Sequence, residues 1–324
     1  QRWVSRDFDS VINSYNDFRN MVFIAYPGEK EGLNRYFTEV DGIYDALSLT
    51  VQKPIPLLYS GFGLLFAIMP YLLKGKKLMQ VMNRYRGVTV NEFTEQYFPK
   101  GSKIHNLLTN LGYPEMGVDG LGAFLSMFED YWTVSGGMQS WADCLADNFR
   151  KAGGQIKLSN PVDKIVTRKG RAIGVSSRGI LHNADSVVAA CDYKKSFLKL
   201  LDDQSLIKAE LREKIEKAQV SESFFTVYLG LKLSNDELEK FMKIPYTVYN
   251  GGDFSADTRN ANDENYFKKA SLILYSPSML NHELAPEGKS SLMVQAVCPY
   301  GWMQNWGGGD KGKYKNLKEK VKKD

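Results

Sequence analysis

At 324 residues, 43% hydrophobic and 24% charged, the chain exceeds what one core usually serves, so at least two domains are expected. The formal charge is +5, but residues 311–324 (KGKYKNLKEKVKKD) hold seven lysines against Glu319 and Asp324 and account for all of it, which excludes a broad basic face for nucleic acid. Cys144, Cys191 and Cys298 are too far apart for a disulfide framework or a CxxC pair, and His105, His182 and His282 lack ligand spacing, so no metal site is expected and a reducing, cytoplasmic setting fits.

The first residue is Gln, and no charged segment followed by an apolar one precedes the globular pattern, so a secretory signal is not expected and the chain reads as beginning inside a longer protein. Residues 1–30 read as the tail of a domain, with a short strand at 22–26 (VFIAY) ended by Pro27-Gly28. From Glu31 to Leu49, Leu33, Tyr36, Phe37, Val40, Ile43 and Tyr44 recur at helical spacing. Residues 55–73 (IPLLYSGFGLLFAIMPYLL) carry no charge and are followed by Lys74, Lys76 and Lys77. Their length permits a spanning helix, a buried helix or a surface-inserting patch with lysine anchors, while Pro56, Pro70, Gly61 and Gly63 disfavour the first. Thr89 and Glu92 have capping-box spacing ahead of Phe93, Tyr97 and Phe98, and short helices follow at 103–113 and 120–129. Residues 31–130 therefore read as a helical apolar subdomain.

Gly136-Gly137 opens a helix in which Trp141, Leu145 and Phe149 recur every fourth residue, with Gly153-Gly154 at its end. Three runs, 162–168, 171–177 and 180–183, are separated by Lys169-Gly170 and Arg178-Gly179 and form an antiparallel meander. Val187–Cys191 is uncharged and lacks alternation, as a parallel strand buried on both faces would. A surface helix is expected at 204–219, then a half-buried strand in which Phe225, Val227, Leu229 and Leu231 alternate with polar or small neighbours. Further strands at 246–249, 271–275 and 291–297 complete a mostly antiparallel sheet. In the lysine-rich end Tyr314, Leu317 and Val321 fall at helical spacing, which favours a solvated helix over a basic membrane tail.

No glycine run follows a strand and opens a helix with GxGxxG spacing, and no nucleophile elbow, phosphate loop or metalloprotease helix is present. The neighbouring carboxylates Glu129-Asp130 and Asp202-Asp203 read as surface charge. Catalytic side chains are not identifiable. Half of a nucleotide-type fold beside an apolar subdomain points instead to chemistry carried by a cofactor.

The succession GGM, helix, AGGQIKLSNPVDKIV, RAIGV, NADSVVAACD and FFTVYLGLKL, followed by LILYSPSMLNHELAPEGKSSLMVQAVCPYGW, resembles the flavin-dependent phytoene desaturase-like family of carotenoid desaturases, carotenoid isomerases and retinol saturases. The likeness covers most of 130–306, and 20–130 more loosely. It implies an α/β fold with four parts: a remnant at 1–30, the helical membrane-facing subdomain at 31–130, the middle of a glutathione-reductase-like, Rossmann-type FAD-binding domain with its meander at 131–200, and an antiparallel-sheet substrate domain at 201–324. FAD is the implied cofactor. The resemblance implies that Val162 meets its adenine side through the backbone, that Ala190 and Cys191 end a strand beside it, and that Gly136 and Gly137 lie near flavin and substrate. Phe225 and Tyr228 would line an apolar substrate cavity. The implied activity is oxidoreduction of a polyene or isoprenoid taken from a lipid bilayer surface, by a peripheral membrane enzyme. A lipid-binding remnant without redox activity stays as the alternative, because the GxGxxG unit and the C-terminal glycine-rich segment of that family are missing from these residues.

Overall fold

A computed structural model describes residues 1–52, 60–109, 116–126, 128, 133–218, 220, 223–250 and 263–323. The expected features at Pro56, Leu111 and Glu129-Asp130 lie outside the described residues. The elements through the first half are β1 (Arg2–Val4), β2 (Asp9–Val11), α1 (Tyr15–Ala25), α2 (Lys30–Gln52), α3 (Phe62–Arg84), α4 (Val90–Glu95), α5 (Lys103–Thr109), α6 (Val118–Ser126) and α7 (Gly137–Lys151). Then come β3 (Lys164–Arg168), β4 (Arg171–Ser177), β5 (Ile180–Asn183), α8 (Tyr193–Lys195), α9 (Ala209–Lys217), β6 (Ser223–Leu231), α10 (Asn235–Met242) and β7 (Tyr246–Tyr249). The last are α11 (Tyr266–Lys269), β8 (Leu272–Tyr275), α12 (Pro277–Leu280), β9 (Ser290–Cys298), α13 (Trp302–Gly308) and α14 (Lys311–Val321).

Two units divide the chain: Gln1–Met138 with Glu222–Asp324, and Gln139–Ser221. In the first unit, residues 1–30 contribute β1 and β2, which form one edge of its six-stranded sheet. The helices of 31–130 belong to that same unit, and 201–221 belongs with the meander.

In the first unit the sheet order is β2-β1-β7-β8-β9-β6, with β1 and β7 parallel and every other pair antiparallel. α1 replaces the strand expected at 22–26. Ser14 caps it by accepting from Asp17 N at 3.1 Å, and Phe18, Met21 and Val22 bury one helical stripe. Helical periodicity starting upstream at Tyr15 thus overrides the local β preference of VFIAY. In α2, Leu33, Tyr36, Phe37, Val40 and Ile43 are buried together with Phe93, Leu107, Leu108 and Leu121. Trp3 of β1 meets Phe18 edge to face at 5.7 Å, so this helical core rests on one face of the sheet. On the other face Phe225 stacks on Trp306 at 5.5 Å, beside Phe267 and Trp302.

α3 runs through Pro70, and a stripe of Phe62, Leu65, Phe66, Met69, Leu72 and Leu73 is exposed along it, whereas Ala67 is buried on its opposite side. The segment is therefore not a buried helix. No described helix is long and apolar enough to cross a membrane.

The second unit is built on the three-stranded sheet β3-β4-β5. Both turn dipeptides have positive φ at each residue: Lys169 51° and Gly170 74°, Arg178 51° and Gly179 77°, the geometry that matches strand twist in a two-residue hairpin. Asp202 fastens the following segment to β3, accepting from Thr167 N at 3.1 Å and from Thr167 Oγ1 at 2.6 Å; these bonds hold its carboxyl below the ordinary range. Val187–Cys191 forms no strand. No described residue pairs with it, and Val188 is 91% exposed, since a parallel strand exists only through its ladder neighbours. Ile156 and Leu158 likewise form no strand, and the apolar stripe of α7 (Trp141, Leu145, Phe149) is exposed.

Candidate substrate face and cofactor segment

Directly paired residues of neighbouring strands share a face of a sheet, so the register assembles the surface. Tyr228 pairs with Met293, Met293 with Tyr275, and Tyr275 with Tyr246, a row running across β6, β9, β8 and β7. Beside it, Thr226 pairs with Gln295, Gln295 with Ile273, Ile273 with Val248 and Val248 with Trp3. At the usual strand spacing four strands cover about 14 Å. Trp3, at the far end, is 4% exposed under the helical core, whereas Tyr228, on β6, is 74% exposed. The face is thus covered at β1 and open at Tyr228 on β6, with Thr226, Met293 and Gln295 half-buried between them. Neither row holds a charged side chain, and Gln295 Nε2 donates to Thr226 Oγ1 at 3.1 Å.

The two residues expected to line the substrate do not share this face. Phe225 and Tyr228 lie an odd number of positions apart on one strand, and period-two alternation sends Phe225 into the cluster with Trp306 and leaves Tyr228 on the open side. Met293, Gln295, Thr226 and Tyr275, absent from the expected lining, join Tyr228 there. Alternation in 291–297 hints at Met293 and Gln295, but the register that brings them to Tyr228 is not readable from either strand alone.

Gly136 and Gly137 have φ of 79° and 81°, the left-handed region where a side chain is strained, and a Cβ on Gly137 would lie 3.3 Å from Leu284 Cδ2. Val162 immediately precedes β3. Ser177 Oγ donates to Pro161 O at 2.5 Å and Asp163 N donates to Ser176 O at 2.8 Å, which fix the backbone on both sides of it. The N–H and C=O of Val162 itself have no partner among the described residues. Ala190 and Cys191 stand at the end of the unpaired segment; Cys191 Sγ lies 3.1 Å from Ser196 Oγ, and Asp192 caps α8 by accepting from Lys195 N at 2.6 Å. Gly136 and Gly137 belong to the first unit, and Val162, Ala190 and Cys191 to the second.

Among the described residues no group of three His, Cys, Asp or Glu side chains could hold a metal ion. The tyrosines whose hydroxyls burial pushes upward, Tyr15, Tyr36, Tyr85 and Tyr97, sit in or against the helical core, away from the open rows.

The first unit thus carries an uncharged sheet face open at Tyr228, and the second a backbone position at Val162 without partners among the described residues. The chain belongs to the family of flavin-containing amine oxidoreductases, whose profile matches residues 77–294. It is similar to a zeta-carotene-forming phytoene desaturase of Myxococcus xanthus, 28% identical over 189 residues covering 58% of this chain and 35% of that protein. It is also similar to a 4,4'-diapophytoene desaturase (4,4'-diaponeurosporene-forming) of Staphylococcus aureus (strain bovine RF122 / ET3-1), 23% identical over 304 residues covering 90% of this chain and 57% of that protein. A crystal structure of an oxidoreductase from Methanosarcina mazei shares the fold with a TM-score of 0.50 at 15% identity, over 82% of this chain and 56% of that one. The chain therefore spans between about a third and somewhat over half of the relatives it matches. The phytoene desaturase-like resemblance stands on these matches, and FAD is the cofactor that membership implies. The residues present fit part of it: Val162 offers an uncommitted N–H and C=O at a fixed position, and Gly136-Gly137 a backbone without side chains. No glycine-rich turn between strand and helix is present among the described residues to take a diphosphate.

Proposed function

We propose that the chain is part of an FAD-dependent oxidoreductase that acts on an apolar polyene or isoprenoid by desaturation, saturation or isomerisation. The observation that carries this reading is the sheet face of Tyr228, Met293, Ile273 and Tyr275, apolar, uncharged and open at β6. An extended hydrocarbon gains from such a surface about 25 cal/mol for each Å² it removes from water, and no charged group has to be desolvated. Bound FAD supplies hydride transfer at its N5, so the protein's own side chains need only bind, orient and keep water out. In this reading Val162 holds the adenine side through its backbone, Ala190 and Cys191 flank the cofactor, and Gly136-Gly137 admits close approach of flavin and substrate. Phe225 supports the substrate strand from behind and has no contact with substrate.

The same proposal places the enzyme at a cytoplasmic bilayer surface. The exposed stripe of α3 followed by Lys76 and Lys77 suits a helix lying in the interface plane, where a polyene is dissolved. That stripe also supports the second reading, a lipid-binding protein without redox activity. The absorption spectrum of the protein expressed from its own gene and purified by gel filtration separates the two. A flavin band that co-elutes, and that bleaches when a polyene substrate is added without oxygen, is the expected result. Protein free of flavin that still binds polyene would replace the first reading with the second.

A further inference from the structure

We infer that Gln295 and Thr226 form a specificity element that selects an isoprenoid bearing one oxygen function, a hydroxyl or carbonyl, over the bare hydrocarbon; this rests on the isoprenoid reading of the sheet face. The two residues are directly opposite on β9 and β6, in the part of the face that is not under the helical core. Their neighbours on that face are apolar or aromatic: Phe224 and Val297 on one side, Tyr228 and Met293 on the other, and Ile273 beside Gln295 on β8. A polar pair in this setting is conspicuous, since a purely hydrocarbon ligand would be served better by Val or Leu at both positions.

The pair makes one hydrogen bond between its members, Gln295 Nε2 to Thr226 Oγ1 at 3.1 Å. Gln295 Oε1, its second amide hydrogen and the hydroxyl hydrogen of Thr226 have no other partner among the described residues. The pair therefore presents donors and acceptors side by side. A ligand hydroxyl can accept from the amide and donate to Oε1; a carbonyl can accept from the amide and from Thr226. A hydrocarbon lying over both residues strips water from these groups and returns nothing, a loss that converts to roughly a tenfold or greater difference in affinity.

The test is equilibrium binding of radiolabelled geranylgeraniol, and of the hydrocarbon with the same skeleton and no hydroxyl, to the whole chain in neutral detergent micelles. The expected result is that the native chain prefers the alcohol by about tenfold or more, and that Gln295→Leu, which keeps the volume and removes the amide, reduces the preference to under about threefold by weakening the alcohol and strengthening the hydrocarbon. Thr226→Val, isosteric and suited to a strand, shifts the ratio in the same direction and serves if the leucine variant loses its circular dichroism spectrum. Equal affinity of the native chain for both ligands, or an undiminished preference in both variants, overturns the inference while leaving the isoprenoid reading standing. If the native chain binds neither ligand, the reading of the face fails and the inference with it.

Discussion

Asp9 ties three parts of the sheet unit together. Its carboxylate accepts from Arg2 Nε at 2.7 Å and Arg2 Nη2 at 2.8 Å on the neighbouring strand, and from Lys243 Nζ at 3.1 Å, while Arg2 Nη1 also donates to Phe241 O at 2.7 Å at the end of α10. The hydrogen bond from Arg2 is the largest cause that pulls the Asp9 carboxyl down to about 2. A carboxyl held lower in the folded chain than its unfolded value of about 3.9 adds stability above that value, and the contribution disappears as pH falls toward 2. Because the Asp9 side chain is 41% exposed, solvent screening limits the effect to about 0.5 kcal/mol. Asp9→Asn should therefore lower Tm by about 1–2 °C at pH 7, and the gap should close between pH 4 and pH 2; a gap independent of pH would show that the ion pair is not its source.

Single helices owe their limits to local chemistry. α4 has a complete capping box: Glu92 N donates to Thr89 Oγ1 at 3.1 Å, and Thr89 N donates to Glu92 Oε2 at 2.9 Å. These bonds satisfy two groups the helix itself cannot, and set Val90 and Phe93 into the core. Thr89→Ala should cost about 1 kcal/mol, read from the urea midpoint with the m-value unchanged. This element was legible because every interaction that defines it lies within four residues. α1 was not, since VFIAY is a good local strand and the evidence against it, Ser14 with Asp17 and the burial of Phe18 under Trp3, begins outside those five residues. Val187–Cys191 failed for the opposite reason: its sequence suits a buried strand, but a strand is a relation between segments, and no described segment pairs with it.

At the scale of the whole molecule, α3 presents an exposed apolar stripe among the described residues. Each large side chain moved from water into a bilayer interface gains up to about 1.5–3 kcal/mol, so Phe66→Asp combined with Leu73→Asp should reduce liposome flotation at least tenfold while leaving the circular dichroism spectrum intact. Unchanged flotation would remove the membrane from the proposed function. Residues 139–221 form a unit of their own between the two stretches, 1–138 and 222–324, that make up the other, so sequence order alone could not sort residues into units, and Val248 of the sheet packs against the helical core.

The sequence by itself determined what depends on near neighbours: the capped helix at Thr89, the two hairpins at Lys169-Gly170 and Arg178-Gly179, the alternation of β6, and the motifs that mark a flavin-type oxidoreductase. Tertiary structure alone decided which side of a strand is packed and which is left open. Phe225 and Tyr228 are equally aromatic and nearly adjacent, and only the partner strand and the packing of Trp306 turn one into the core and leave the other on the open face. The physical reason is that side-chain period is local, whereas register and burial arise from contacts between segments distant in the chain.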